Sequence, residues 1–503
     1  MSKKEFYGID LGTTYSCIAK INSDDIIEVI TNPKTGMPTT PSAVSFLDDG
    51  TCVVGQTAKN NLNGNYDDTV VFIKREMSND KYTRTIKGNV YDQVDISSFI
   101  LKELVNFANQ QRQDEEEKEP IYDVVITVPA YFGTKESERT LDAGKKAGLN
   151  VLRLIHEPTA ATLSYAKKIK ANKTLLVYDL GGGTFDVSIV RLENGSVKVL
   201  ATGGDHLLGG ADWDRKIIDY ALDKINESFE NLNNNQKGLM ITQSEQTKKD
   251  LTSQPSAIMS FNIKGQQNVS ITREEFESMT EPLMDRTMDL VDSTIELAVK
   301  DGHISSIKDI DDVLLVGGSC MMPMVKTWVA KKFDKEPKLT DPHMAVAKGA
   351  ALTAAITSDP QQQVGGLKLG NDKGSRAYGM LAYDNKNGNP YIYTLIKRND
   401  DLVVHREYYG DNGFSTKDDN QTGLGFRFFE YDLDEDILPV DDSLELKGKK
   451  NEISWATPVP KGTPIRLVVD RDKNGSVTVF AECQGSRGTF EIVTAGGKGF
   501  SFH

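Results

Sequence analysis

Two patterns of apolar and polar residues divide the chain near residue 356. Before that point, short apolar runs predict strands at residues 6–10, 26–30, 122–128, 174–179 and 313–316. The amphipathic stretches between them predict helices at residues 97–110, 134–147 and 211–230. Another helix is predicted from Thr272, which forms a capping box with Glu275, to about residue 300. Strands that alternate with helices are typical of an α/β fold.

The pattern changes after residue 356. Residues 357–366 (TSDPQQQVGG) are polar, and β-type runs separated by Gly, Asn and Asp follow from residue 376. We therefore predict three parts: an α/β domain at residues 1–357, a polar linker at 358–366 and a β-sandwich domain at 367–503. Within the α/β part, the sequence DLGTT at residues 10–14 recurs as DLGGGT at 179–184, which predicts two related halves.

Composition excludes several classes of function. With 59 basic and 73 acidic residues, the chain has a net charge of −14, which argues against binding to nucleic acid or to anionic membranes. The four cysteines are widely separated, and no segment approaches the roughly 18 consecutive apolar residues of a membrane span. The N-terminal residues lack the pattern of a secretory signal, so we expect a cytoplasmic protein.

The two copies of the repeat carry the candidate chemistry. A turn without Cβ atoms lets backbone N–H groups reach phosphate oxygens, which predicts two phosphate loops: Gly12, Thr13, Thr14 and Tyr15 in the first, and Gly181, Gly182, Gly183 and Thr184 in the second. The preceding Asp10 and Asp179 would face each other and hold the water shell of Mg²⁺. One such loop alone could be an ordinary tight turn, but two with the same leading acid predict a nucleotide held from both sides.

Other motifs refine this prediction. The chain has neither a GxxxxGK[ST] loop nor a GxGxxG motif that opens a helix, which excludes the two commonest alternatives. A third glycine turn, VGGSC at residues 316–320, follows a strand and suits the adenosine end of the ligand. A fourth, at residues 203–205 with Gly209 and Gly210 close behind, is predicted to open a helix.

Five motifs resemble those of the seventy-kilodalton heat-shock chaperones, also called the DnaK-type family. They are GIDLGTTYS (8–16), ITVPAYF (126–132), IHEPTAATLSYA (155–166), YDLGGGTFDVSIV (178–190) and LLVGGS (314–319). The resemblance runs from residue 6 to about residue 356. It implies an actin-like ATPase domain of two duplicated, ribonuclease H-like halves that binds ATP or ADP with Mg²⁺.

The resemblance also implies catalytic roles. Asp10 and Asp179 match residues that bind magnesium through water, Glu157 matches the carboxylate that orders water near the γ-phosphate, and Lys74 matches the catalytic lysine. Thr13 and Thr184 would place hydroxyl groups near the terminal phosphate. A lysine beside the transferring phosphoryl group would stabilise its negative charge. By spacing alone, however, Lys74 could be a surface lysine and Glu157 an acid that favours a helix N-terminus.

Towards the adenosine, the resemblance departs from the family pattern. It implies contacts from Glu245, Lys248, Lys249, Thr252, Gly317, Gly318, Ser319 and Met321, and from Gly209 and Gly210. Met321 and Lys249 stand where the family usually has arginines that cover the adenine. Because a guanidinium plane covers a purine better than a thioether or an ammonium group does, we expect weaker or less base-selective nucleotide binding.

The C-terminal part resembles the family's peptide-clamping β-sandwich more weakly, over residues 414–432 and 458–482. By position, Ser415, Leu424 and Phe426 would line the peptide groove, although Leu424 and Phe426 could equally be sandwich core. The polar linker, the absence of a helical lid, and Ser137 and Leu141 in place of an arginine and a lysine put the family's coupling between domains in doubt. Without a lid, bound peptide should exchange quickly.

These observations predict an ATP-hydrolysing chaperone that binds unfolded or extended peptide segments. The family implies a J-domain co-chaperone and a nucleotide exchange factor as partners. One alternative, favoured by the altered adenine and coupling positions, is an adaptor that holds nucleotide with little turnover and docks on another chaperone or complex. An actin-like small-molecule kinase shares the two phosphate turns but explains neither HEPTAA nor the β-rich C-terminal part.

Overall fold

The computed structural model describes residues 5–112, 120–169, 171–339, 341–358, 364–370, 373–374, 376–384, 387–398, 400–410, 413–431, 433, 435–446 and 451–491. The chain divides into two compact units. Unit 1 comprises residues 1–130 and 139–370, and unit 2 comprises residues 131–138 and 371–503. Of the predicted linker at 358–366, residues 359–363 lie outside the described residues, so the predicted domain limits stay a prediction.

The described residues up to 370 contain nine helices and nineteen strands. The helices are α1 (Gln56–Asn61), α2 (Gln93–Arg112), α3 (Thr134–Lys146, whose first residues belong to unit 2), α4 (Glu157–Ala166), α5 (Gly210–Asp223), α6 (Asn234–Ser253), α7 (Arg273–Lys300), α8 (Pro323–Phe333) and α9 (Ala345–Ser358). The strands are β1 (Glu5–Asp10), β2 (Tyr15–Asn22), β3 (Ile27–Val29), β4 (Thr40–Pro41), β5 (Val44–Phe46), β6 (Cys52–Val54), β7 (Thr69–Val70), β8 (Arg84–Ile86), β9 (Asn89–Tyr91), β10 (Asp123–Val128), β11 (Asn150–His156), β12 (Lys173–Leu180), β13 (Phe185–Glu193), β14 (Ser196–Asp205), β15 (Ser256–Asn262), β16 (Gln266–Thr272), β17 (Asp312–Val316), β18 (Lys338–Leu339) and β19 (Lys368–Leu369).

The two main sheets of unit 1 have the same topology. The first has the order β11-β10-β1-β2-β3, and the second has the order β18-β17-β12-β13-β14-β19. In each sheet a central strand, β1 or β12, pairs antiparallel with the strand that follows it and parallel with a later strand. The repeated motif therefore occupies equivalent places, at the end of β1 and at the end of β12. This confirms the predicted duplication and the actin-like fold class.

Helices α4 and α9 pack between the two sheets, and small residues bring them close. Side chains of both helices and of both sheets form one buried apolar cluster. A Cβ atom on Gly8 of β1 would lie 2.0 Å from the backbone nitrogen of Ala351, and one on Gly349 of α9 would lie 1.8 Å from the carbonyl oxygen of Ala160. Only glycine permits such approaches, so the spacing between the two halves depends on these two positions.

Most of the predicted elements are confirmed with shifted ends. Each of the five predicted strands and the helices at 97–110 and 134–147 is present, and α7 begins at the predicted capping box of Thr272 with Glu275. Two predictions are wrong. The helix predicted at 211–230 ends at Asp223, because residues 229–231 form a separate 3₁₀ turn. Residues 203–205 end strand β14, with Gly203 packed against Thr294 of α7, and so do not form the predicted turn, although the predicted helix does begin at Gly210 as α5.

Unit 2 is an antiparallel β structure. Its strands are β20 (Ala377–Tyr383), β21 (Pro390–Ile396), β22 (Val404–Tyr408), β23 (Phe414–Ser415), β24 (Gln421–Phe426), β25 (Phe428–Tyr431), β26 (Ile437–Leu438), β27 (Asn451–Val459), β28 (Pro464–Arg471), β29 (Val477–Cys483) and β30 (Ser486–Glu491). One sheet has the order β25-β20-β21-β26, and another has the order β22-β28-β29-β30 with β23 beside β28. Apolar side chains of both sheets form a common core, as expected for a sandwich.

No helix within the described residues has the length and apolar character needed to cross a membrane.

Candidate functional site

Unit 1 contains a cavity of about 340 Å³ into which the ends of β1, β12 and β17 open. Both members of the repeated acid pair, Asp10 and Asp179, line it, so the two halves of the duplication meet at one site. The other lining residues are Gly12, Thr13, Thr14, Tyr15, Thr39, Lys74, Glu157, Gly181, Gly182, Thr184, Ala211, Asp214, Glu245, Lys248, Lys249, Thr252, Val316, Gly317, Gly318, Ser319, Met321, Met322, Pro342, His343 and Val346.

The two glycine loops contact each other across the cavity. A Cβ atom on Gly182 would lie 1.8 Å from Thr14 Oγ1, and one on Gly183 would lie 2.3 Å from Thr13 Cγ2. Each loop closes on itself as a tight turn: the Ser16 hydroxyl accepts a hydrogen bond from the Gly12 N–H at 3.2 Å in the first, and the Thr184 carbonyl accepts one from the Gly181 N–H at 3.0 Å in the second. Larger residues in the second loop would force the two loops apart.

Three predicted cofactor residues are not on the cavity wall: Gly183 of the second loop, and Gly209 and Gly210 beside that loop. A Cβ atom on Gly209 would lie 2.5 Å from the carbonyl carbon of Gly183, and the Gly210 N–H donates to the Gly181 carbonyl at 3.0 Å. The Gly183 carbonyl accepts a hydrogen bond from Arg75 Nε at 2.9 Å. Gly183, Gly209 and Gly210 therefore support the loop, while the N-terminal Ala211 of α5 reaches the cavity itself.

Lys74 and Glu157 form a buried ion pair in the cavity. Their Nζ and Oε1 atoms are 2.5 Å apart, and the two residues are only 5% and 6% exposed. Lys74 belongs to a 3₁₀ turn, Ile73–Glu76, that follows Phe72 in a left-handed conformation with φ of 60°. Glu157 is the first residue of α4, where a carboxylate interacts favourably with the helix dipole. Lys74 is therefore a buried residue and not a surface lysine. Glu157 forms an ion pair with it in addition to occupying the first position of α4.

An excess of acidic groups surrounds Lys74. Burial and the negative charge of Glu157 raise the pKa of Asp10 to about 7, although Lys74 and a 3.2 Å hydrogen bond from Thr127 act in the opposite direction. Burial, with the charges of Glu157 and Asp10, also raises the pKa of Asp179 well above its ordinary value. Burial lowers the pKa of the Lys74 ammonium group, but the charges of Glu157 and Asp10 outweigh it and raise that pKa overall. Such a group of carboxyl groups favours an added cation.

A charged network closes the opposite end of the cavity. Glu245 accepts hydrogen bonds from Lys59, from the Tyr15 hydroxyl at 3.0 Å and from Lys249 at 2.7 Å. Burial alone would raise the pKa of Glu245, but the charges of Lys59 and Lys249 outweigh it and lower that pKa to about 2. The network joins α1, the first loop and α6, so it fixes the wall on which the predicted adenosine contacts lie.

Different interactions hold the remaining predicted adenosine contacts at the cavity. Lys248 donates to the Gly210 carbonyl at 2.7 Å and pairs with Asp214 at 2.8 Å. Ser319 Oγ donates to the Gly181 carbonyl at 2.8 Å, which ties the third glycine turn to the second loop. Gly317 has φ of 85°, a conformation that favours glycine. Met321 lines the cavity but is 44% exposed.

Among the residues that sequence reasoning missed are four titratable ones in or beside the cavity. Asp186 is buried, and its Oδ1 accepts a hydrogen bond from the Ala130 N–H at 2.9 Å. Burial, with the charges of Glu157 and Asp179, raises the pKa of Asp186. It could have been found, because it lies in β13 two residues after Thr184 in the glycine motif. Asp214 and His343, which line the cavity, and Lys59, which pairs with Glu245, carry no local signal, since only the fold brings them there.

In unit 2, the predicted peptide residues have mixed surroundings. Leu424 and Phe426 are half-buried and pack against the sandwich core, where the Phe426 ring lies 5.2 Å from that of Phe490. Ser415 is exposed at the end of β23. Leu424 and Phe426 contribute to the core and keep part of their surface exposed, so their peptide role stays a prediction.

Comparisons with known proteins agree with this picture. A family model described as Hsp70 protein matches residues 6–85 and 76–501. The chaperone protein DnaK of Halobacterium salinarum is 36% identical over 513 residues, which cover 100% of this chain and 76% of that protein. The chaperone protein DnaK of Thermosipho melanesiensis is 36% identical over 510 residues, and that of Thermotoga petrophila is 36% identical over 509 residues. Both matches cover 98% of this chain and 81% of the relative.

Proposed function

Because the chain belongs to the Hsp70 family, we propose that the cavity of unit 1 binds Mg²⁺-ATP and hydrolyses it with Lys74, Glu157, Asp10 and Asp179 at the reacting phosphate. Family membership makes the chain an ATP-dependent chaperone and an ATPase. Unfolded or extended peptide segments as ligands of Ser415, Leu424 and Phe426, a J-domain co-chaperone, a nucleotide exchange factor and a cytoplasmic location are part of the proposal.

One observation carries the site assignment: the two glycine loops contact each other in a cavity where Lys74 faces four carboxyl groups, those of Asp10, Glu157, Asp179 and Asp186. The loops offer backbone N–H groups to phosphates, and the surplus of carboxyl groups fits a hydrated divalent cation. Within the described residues, no group of three or more His, Cys, Asp and Glu side chains converges closely enough to hold a metal directly. Asp10 and Asp179 would therefore hold Mg²⁺ through its water ligands.

Each charged group of the proposed site has its own electrostatic role. Mg²⁺, when bound, neutralises phosphate oxygens and part of the surrounding carboxylate charge. Lys74 places a buried positive charge where the γ-phosphate would lie and so stabilises charge that develops there. Glu157 holds the Lys74 ammonium group in place and accepts a hydrogen bond from the attacking water. The hydroxyl groups of Thr13 and Thr184 would contact the terminal phosphate.

The catalytic part is tested with Lys74→Ala. We expect single-turnover hydrolysis of bound ATP to slow by about 10²- to 10³-fold, since one preorganised charge at the transition state is lost. ADP binding, measured by calorimetry, should fall much less. Lys20→Ala is a suitable control, because Lys20 forms ion pairs with Glu5 and Glu28 away from the cavity lining. The assignment is wrong if Lys74→Ala hydrolyses ATP as fast as the wild type.

An adaptor with little turnover is the second candidate, because Met321 and Lys249 replace residues that cover adenine in the family, and Met321 is 44% exposed. Steady-state turnover with and without unfolded peptide and a J-domain protein separates the two: a chaperone motor accelerates and an adaptor does not. The family match leaves the small-molecule kinase without support.

A further inference from the structure

We infer that His343 is a specificity-determining residue of the nucleotide site, and that it lets the site accept 6-oxopurine nucleotides such as GDP and IDP as well as adenine nucleotides. This inference rests on the proposed nucleotide binding by the same cavity. It concerns a residue that the motifs of the chain do not indicate, since His343 lies outside the glycine turns and outside α6.

The position of His343 is fixed by the third glycine turn. The residue lines the cavity just before α9, and the preceding Pro342 carbonyl accepts a hydrogen bond from the Gly317 N–H at 3.0 Å. A Cβ atom on Gly318 would lie 2.7 Å from Cε1 and 3.1 Å from Nδ1 of the imidazole. The ring therefore lies directly against Gly318, and it forms part of the wall at the end of the cavity where the base would bind.

His343 also keeps both ring nitrogens available, whereas the nearby polar side chains already use hydrogen-bond donors within the protein. The Ser319 hydroxyl donates to the Gly181 carbonyl at 2.8 Å, and the Thr252 hydroxyl donates to the Lys248 carbonyl at 3.1 Å. Lys249 is engaged by Glu245 and by the Tyr15 hydroxyl. Across the part of the chain that the structure describes, neither ring nitrogen of His343 has a hydrogen-bond partner, although the ring is exposed to the cavity.

The protonation state of His343 lets its imidazole act both as a hydrogen-bond donor and as a hydrogen-bond acceptor. Burial and the nearby positive charge of Lys249 lower the pKa of His343 below its ordinary value, which favours the neutral imidazole at pH 7. A neutral imidazole has one donor nitrogen and one acceptor nitrogen, and either nitrogen can carry the proton. The 6-amino group of adenine needs an acceptor, and the 6-oxo group of guanine or hypoxanthine needs a donor. A change of tautomer meets either need, whereas an arginine or a lysine offers donors alone.

The test compares the affinities of three nucleoside diphosphates that differ only in their base. ADP, GDP and IDP are titrated with Mg²⁺ into the full chain at pH 7.5 by calorimetry. We expect GDP and IDP to bind within about 10-fold of ADP. His343→Ala should weaken all three by about 2- to 13-fold, the loss of one neutral hydrogen bond. His343→Phe should weaken them similarly, because it keeps a flat ring but removes both nitrogens.

The control and the outcomes keep this inference apart from the proposed function. His405→Ala removes an exposed histidine of unit 2 and should leave all three affinities unchanged. If none of the nucleotides binds to the wild type, nucleotide binding itself is refuted. If ADP binds and GDP and IDP bind over 100-fold more weakly, or if His343→Ala changes no affinity, the role of His343 is refuted while nucleotide binding stands.

Discussion

The pKa of a buried carboxyl group in this protein depends on how many cationic side chains lie beside it. Burial and the charge of Glu157 raise the pKa of Asp10 to about 7, because Lys74 is shared among several acids. Glu245 has Lys59 and Lys249 beside it, and its pKa falls to about 2 despite burial. The phosphate end therefore gains from an added cation, whereas the adenosine end is already neutralised by its own lysines.

The same reasoning applies to Glu430 of unit 2 and gives a pH dependence. Burial and the charge of Glu136 raise the pKa of Glu430 from 4.5 to about 7, although Arg376 and a 3.0 Å hydrogen bond from the Tyr378 hydroxyl lower it. The folded form therefore binds the proton more tightly than the unfolded form. The resulting stabilisation is complete below pH 4.5 and is lost as the pH rises through about 7. Glu430→Gln, which cannot ionise, should stabilise unit 2 by roughly 1–3 kcal/mol at pH 8 and by little at pH 5.

Hydrogen exchange of the amides in β20 and β25 measures this effect in the full chain. Protection should be greater in Glu430→Gln than in the wild type at pH 8, and the difference should be much smaller at pH 5. Comparison of the two proteins at each pH cancels the intrinsic exchange rate. Glu452→Gln changes an exposed glutamate of the same unit and should show no difference at either pH. Equal protection of Glu430→Gln and wild type at pH 8 would contradict the predicted cost of the buried charge.

Among the elements, α6 forms one wall of the cavity. It carries Glu245, Lys248, Lys249 and Thr252, and it approaches the segment after α1 at Gly238. A Cβ atom there would lie 1.9 Å from the Leu62 carbonyl oxygen, so glycine is required for this contact although it weakens a helix by about 1 kcal/mol relative to alanine. The Thr242 hydroxyl of α6 also donates a hydrogen bond to Asn63 at 2.6 Å, so a second contact joins α6 to the segment after α1.

We expect Gly238→Ala to accelerate nucleotide release by about 10-fold, because α6 must move away from Leu62 while its own helix becomes no less stable. Stopped-flow displacement of a fluorescent ADP analogue by excess ADP measures the rate. Gly64→Ala is a matched control in the segment after α1, since a Cβ atom at Gly64 would have no neighbouring atom within 4 Å. An unchanged release rate in Gly238→Ala would show that this close approach does not limit opening of the site.

The elements also show what the sequence could predict. Strand alternation and the capping box of Thr272 are local signals, so these elements were predicted nearly to their ends. The repeated motif predicted both phosphate loops, because a glycine turn acts through its own backbone. The Lys59–Glu245 pair joins residues 186 positions apart, and His343 lies against Gly318, which belongs to the turn after β17. Such contacts leave no pattern in a single sequence. Gly203 was misread because a glycine that makes room for Thr294 looks the same as a glycine in a turn.

For the molecule as a whole, the proposed function implies coupling between nucleotide binding in unit 1 and peptide binding in unit 2. Such coupling is a free energy, and it must act equally in both directions: the factor by which ATP weakens peptide binding equals the factor by which peptide weakens ATP binding. At two positions where the family has an arginine and a lysine, this chain has Ser137, which is buried, and Leu141, which is half-buried. Neither side chain can form an ion pair, so both remove a charge-dependent route for the coupling.

We therefore expect weak coupling. The dissociation constant of a fluorescent extended peptide should differ by less than about 5-fold between saturating ADP and saturating ATP, which corresponds to less than about 1 kcal/mol. Lys74→Ala keeps ATP intact during the titration. In the reverse titrations, ATP and ADP are each added to the protein with and without saturating peptide. The factor by which peptide changes ATP affinity, divided by the factor by which it changes ADP affinity, must equal the forward factor if both ligands bind as proposed. A factor above about 10 in both directions would show that coupling does not need the charges that Ser137 and Leu141 replace. Unequal factors would show instead that the peptide binds at more than one place, because a single pair of sites cannot break reciprocity.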